Sequence, residues 1–203
     1  MKTEDKLSVH LYLLTVFIFK LKQHMKTLLA VVSFISCYSI AVSQSYTPTD
    51  AGSKVHFVIK NFGISTGGDF SGIKGQIEFN PDELNKSKFY VTINAGTIDT
   101  DNNTRDSHLR KEEYFDVAKY PLLLFSGTKV TKNNIAGRFY MFGNLTIKGI
   151  TKAVEFGFNA TPNNKGYIFN GEFSINRRDF GVGGSSFSMS DNLKIVLTIN
   201  AVK

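Results

Sequence analysis

Val55, Phe57 and Ile59 fall on one side of an extended chain, and His56, Val58 and Lys60 fall on the other. The same period of two recurs in Ile77/Phe79, Phe89/Val91/Ile93, Phe139/Met141, Val154/Phe156/Phe158, Tyr167/Phe169/Phe173/Ile175 and Leu193/Ile195/Leu197/Ile199. Successive side chains of a strand point to opposite faces, so each run reads as a strand with one face turned to a core. Turn chemistry separates the runs, at Asn80-Pro81-Asp82, Asn133-Asn134, Pro162 to Gly166 and Gly181 to Gly184. Many short strands with hairpin-length connections predict an all-β, antiparallel sandwich or barrel. Full closure is what removes unpaired edges altogether, which favours the barrel. Gly72, Gly75, Gly157 and Gly171 interrupt strand-like runs, as glycines do where a strand bulges or bends.

One stretch breaks this rhythm. From Ile98 to Pro121 the alternation vanishes and polar residues gather, Arg105, Asp106, His108 and Arg110 among them. Asp101 or Asn102 is placed to cap a helix, and Tyr120-Pro121 returns the chain to extended structure. The expectation is one short helical insertion around residues 102–116. A histidine beside a carboxylate and arginines is the minimal kit of general acid–base chemistry. On a helix, however, Asp106 and His108 are two apart and point away from each other, whereas Arg105 faces His108 and Asp106 faces Arg110. The spacing therefore predicts an Asp106–Arg110 ion pair. Three uses stay open for the segment: a polar helix bonded to itself and the barrel, a site for an anionic headgroup, or catalysis.

The first 43 residues read as a leader, with residues 44–203 forming one domain. Leu11 to Leu21 is apolar but carries Lys20 and falls short of the roughly 20 residues a membrane span needs. A second start at Met25 opens a stretch with Lys26, an apolar run from Leu28 to Ile35, and small residues at Ala41 and Ser43. That is the layout of a secretory signal cleaved after Ser43, with residues 1–24 an over-extended start. The expected location is periplasmic or secreted. Cys37, the one cysteine, lies in this leader, so the remainder holds together without disulfides. If Cys37 instead carries a lipid, the protein is an envelope lipoprotein.

Residues 1–43 hold five lysines against two acids, which leaves 19 basic and 15 acidic residues beyond them, a net +4 against +7 for the whole chain. These charges are dispersed, so no block tracks a phosphate backbone and nucleic acid is not an expected partner. Two histidines and no cysteine beyond the leader are too few ligands for the usual Cys/His zinc sites, and neither metal nor cofactor is expected.

Four segments together resemble one family: "HFVIKNFGISTGGDFSGIKGQIEFNPDEL" (56–84), "TIDTDNNTRDSHLRKEEYFDVAKYPLLLF" (97–125), "GNLTIKGITKAVEF" (143–156) and "INRRDFGVG" (175–183). In content and order they are similar to the YceI family of polyisoprenoid-binding, lipocalin-like periplasmic proteins, over essentially residues 45–202. The resemblance implies an eight-stranded antiparallel barrel whose apolar interior holds a long isoprenoid or similar amphiphilic lipid, without enzymatic turnover. The 18 phenylalanines suit such an interior, because each brings a large apolar area. Phe57, Phe79, Leu145, Phe156, Phe158, Phe169 and Phe173 are the candidate apolar lining. Arg105, His108 and Arg110 are the candidate contacts for a polar head. A lipid-modifying enzyme built on the Arg105–His108 helix and a purely structural barrel are the alternatives, and a homodimer stays open. Two stretches depart from the family's usual pattern: "ISTGGDF" (64–70), with its paired glycines, and "SSFSMSDNL" (185–193).

Overall fold

The computed structural model describes residues 17–24 and 44–203. The chain divides into two units, Met1–Val42 and Ser43–Lys203. Residues 17–24 are helical, and no helix among the described residues is long and apolar enough to cross a membrane. The signal-like stretch 25–43, with Cys37, lies outside the described residues.

In the second unit nine strand segments form one antiparallel sheet: β1 (Ser45–Asn61), β2 (Ile64–Phe70), β3 (Lys74–Glu78), β4 (Lys88–Asn94), β5 (Leu122–Lys132), β6 (Arg138–Ile147), β7 (Ile150–Asn163), β8 (Gly166–Asn176) and β9 (Met189–Val202). The first half of β1 pairs with β3 (Tyr46↔Ile77) and its second half with β2 (Val55↔Phe70). β2 and β3 are therefore two halves of one stave. β9 pairs with both β8 and β1 (Phe57↔Ile195) and closes the ring. The result is the expected eight-stranded closed barrel, with one stave broken.

The break has a visible cause. Between β2 and β3, Gly72 takes φ +75°, and opposite it β1 bulges between Thr49 and Lys54. The Asp50 carboxylate bridges the two irregularities by accepting from the backbone N–H groups of Gly72 and Ile73, at 3.1 and 2.9 Å. Just beyond, Gly75 sits at φ +143°, where a Cβ would lie 2.0 Å from the Tyr90 carbonyl oxygen of β4. Only glycine lets these two staves approach so closely.

The end of the barrel carrying the 80–87, 133–137 and 163–165 connections is filled with rings. Phe79 stands at its centre with 1% exposure, and the rings of Phe89, Phe139, Phe158, Tyr167 and Phe169 surround it at 5.3–6.2 Å between centroids. All five contacts are edge-to-face, an arrangement aromatic quadrupoles favour. At the other end the connections are longer. A helix (Asn103–Leu109) follows β4, and Ala95, Leu123, Ile147, Phe180 and Val182 form a second, smaller apolar cluster. The helix is shorter than the sequence suggested. After Arg110 the chain runs through turns to Tyr120, including Asp116 at φ +49°.

Candidate functional site: an apolar barrel cavity and its rim

Between the Phe79 plug and the helix lies a cavity of about 630 Å³, within the ~300–1,000 Å³ typical of small-molecule sites. Its wall follows from strand alternation. On each stave every second side chain points inward, so Val55, Phe57 and Ile59 of β1 meet Leu193, Ile195 and Leu197 of β9. Phe57, Leu145, Phe156, Phe158, Phe169 and Phe173, all expected on the lining, are on the wall. Phe79 is not. It belongs to the packed end, where its ring is spent on other rings rather than on the cavity. Phe70, Leu123 and Phe125 also line the cavity, although no alternation pointed to them.

Two glycines shape the wall at mid-height. Phe125 lies across Gly143, where a Cβ would come within 2.6 Å of the ring, and Phe156 lies against Gly171, where it would come within 3.3 Å. Phe156 and Phe173 are then stacked, centroids 4.6 Å apart. The missing side chains let the rings lie back into the wall and keep the lumen open.

The rim is polar and has been assembled by tertiary contacts. Asn102 caps the helix, its side chain accepting from the Arg105 N–H at 2.9 Å. Asp106, buried at 4% exposure, accepts from the Thr100 backbone N–H at 3.0 Å and from its hydroxyl at 2.5 Å. Arg105 donates from Nε to the same hydroxyl and from Nη2 to the Thr100 carbonyl. The expected Asp106–Arg110 ion pair does not form. Asp106 is committed to Thr100, and the Arg110 guanidinium donates to the carbonyls of Gly96 and Ile98, each at 2.8 Å. Arg110 thus ties the helix to the end of β4 and is not on the cavity wall, whereas Arg105 and His108 are at its mouth. Both are exposed, and His108 makes no side-chain hydrogen bond among the described residues.

Arg177 holds the other side of the rim. At 4% exposure it donates to the carbonyls of Ser190, Val182 and Gly184 and to Asp191 Oδ1, the last at 2.7 Å. It fastens the 181–188 loop to the start of β9. His56 pairs with the Asp69 carboxylate at 2.9 Å, on the opposite strand face from Phe57. No cluster of three or more His, Cys, Asp or Glu among the described residues is arranged to hold a metal ion.

A closed antiparallel barrel, plugged by rings at one end and opening through a polar rim at the other, is a lipocalin-like architecture. The family model of the YceI-like domain matches residues 46–201. The chain belongs to the YceI family. A UPF0312 protein of Yersinia enterocolitica is 31% identical over 156 residues, covering 73% of this chain and 80% of that protein. A UPF0312 protein of Pectobacterium atrosepticum is 30% identical over 189 residues, covering 88% and 97%. Among solved structures, the YCEI protein of Campylobacter jejuni superposes with a TM-score of 0.59 at 28% identity, over 67% of this chain and 84% of that one. A polyisoprenoid binding domain from Saccharophagus degradans, implicated in plant cell wall breakdown, superposes with a TM-score of 0.63 at 12% identity, over 78% and 97%. That last likeness concerns the fold alone.

Proposed function

We propose that this barrel binds and carries, or sequesters, a long-chain isoprenoid or similar amphiphilic lipid, and that it does so without chemical turnover. The observation that carries the reading is the cavity: predominantly aromatic and aliphatic along its length, plugged at one end by Phe79, with its charged side chains at the mouth. Each CH₂ transferred from water to such a wall contributes ~0.8 kcal/mol, so an isoprenoid tail binds firmly with no polar anchor inside. The YceI-like family and the polyisoprenoid binding domain of the same fold agree with that ligand class. The ligand's head lies at the rim, where Arg105 keeps guanidinium donors beyond those given to Thr100 and His108 is unpartnered. The leader directs the protein to the periplasm or outside the cell, and an exported chain beginning at Gln44 in its intact mass would support that.

Native mass spectrometry of the protein purified from its own cell envelope, followed by organic extraction, tests the binding. A co-purifying long-chain lipid is expected. A barrel that comes out empty and fails to take up added polyprenyl alcohol would sink the reading.

A further inference from the structure

We infer that the mouth of the barrel docks on a lipid bilayer and that the ligand enters from that surface, an inference resting on the carrier reading above. Phe62 and Ile64, at the β1–β2 turn, are 73% and 71% exposed, and Phe187, in the loop before β9, is fully exposed. The two tips form one unit, because the Phe62 N–H donates to the Ser188 carbonyl at 2.7 Å. Both stand at the open end. Asn61 and Met189, paired across β1 and β9 beside these tips, line the cavity. The exposed apolar surface therefore runs into the cavity wall without a charged residue between.

The surrounding sequence singles out a bilayer as the occupant. Residues 61–68 (NFGISTGG) and 183–190 (GGSSFSMS) contain no charged side chain. Large apolar tips set among glycine, serine and threonine can sink into the headgroup region without desolvating a charge, and aromatic rings favour that depth. Lys60, exposed and in no ion pair, immediately precedes the uncharged 61–68 tip, and its charge suits an anionic headgroup. Ile150 and Leu122 add exposed apolar surface at the same end, whereas the opposite end's connections expose only Ile135 among the large aliphatic and aromatic residues of the described chain.

The chain has no tryptophan, so a Phe187→Trp variant of the full chain carries a single indole at the proposed contact. Mixed with vesicles of phosphatidylethanolamine and phosphatidylglycerol in equal amounts, its emission should shift to the blue and be quenched by bromine-labelled acyl chains. An Ile135→Trp variant, at the far end and with the same leader, should do neither. In a Phe62→Ser/Phe187→Ser double variant, the rate of polyprenyl alcohol uptake from vesicles should fall on the order of tenfold or more, with the amount held at saturation unchanged. Equal quenching of both indoles, or none, overturns the docking. A blue shift that appears with rising protein concentration and no vesicles also overturns it, in favour of a second copy of this chain. Loss of lipid at saturation in the wild type would instead strike the carrier reading, so the two failures are distinguishable.

Discussion

Arg177 is a whole guanidinium taken out of water, and four of its bonds end on the rim loop and the start of β9. Its removal would strand three carbonyls and leave Asp191 with only the longer Arg178 contact at 3.4 Å, so Arg177→Ala should cost about 3 kcal/mol, measured by denaturant unfolding. Arg177→Lys should recover only part, since an ammonium cannot reproduce the fork. At the far end, burial and then the neighbouring Tyr167 push the Tyr46 phenol above its ordinary value of 10.0. The folded state thus holds this proton more tightly than the unfolded chain does. Tyr46 contributes its full stability below pH 10 and loses it as pH rises through the folded value. Stability should fall more steeply above about pH 10 in the wild type than in Tyr46→Phe, by urea melts across the alkaline range. Some of this scale was legible: the cap was narrowed to Asp101 or Asn102, and Asn102 holds it. The partners of Asp106 and Arg110 could not. The i,i+4 spacing promised an ion pair, but Thr100, Gly96 and Ile98 compete for both groups, and only the folded connection brings them there.

The elements most visible in the sequence are those whose inward and outward faces differ. β4 alternates most cleanly, Phe89 and Val91 buried and Lys88 and Tyr90 exposed, because its outer face meets solvent. β5 begins with the unbroken run Leu122–Phe125, which carries no period, so Leu123 and Phe125 gave no sign of facing the lumen. β2 hides behind its glycines. Gly67 leaves room for the His56 ring, and Gly68 for the Phe57 ring, the Asp99 carbonyl and the Thr100 methyl; a Cβ at either would sit within 2.9 Å of these neighbours. The departure in "ISTGGDF" is thus a close-packing device. The broken stave depends on Asp50. Asp50→Ala should unclamp the Gly72 and Ile73 amides at a cost of about 1–2 kcal/mol, with amide exchange rising first in β3 and the first half of β1. Uniform loss of protection around the barrel would contradict this local role.

Across the whole molecule, the barrel is graded along its axis, from the ring-packed end at Phe79 through the open lumen to the polar rim. Phe79 shows why that gradient is hidden in the sequence. Its strand face is the same as that of a lining residue, and a period of two encodes inward or outward but not depth. Strand alternation and the removal of unpaired edges favoured a closed barrel, and the family resemblance added its apolar, ligand-holding interior; the location of the plug required the fold. The account stands or falls on the lumen being a binding volume rather than slack in a structural core. Ile195 faces that volume opposite Phe57 and Phe173, so Ile195→Trp should fill space instead of displacing neighbours, and the small-to-large penalty of about 1–3 kcal/mol should be largely avoided. The direct measurement is equilibrium binding of polyprenyl alcohols of increasing length to the wild type and to Ile195→Trp, with thermal melts alongside. The account predicts one ligand per barrel, affinity that climbs with each isoprene unit until the lumen is full, and loss of binding in an undestabilised Ile195→Trp. Affinity indifferent to chain length, or equal in the two proteins, would contradict it.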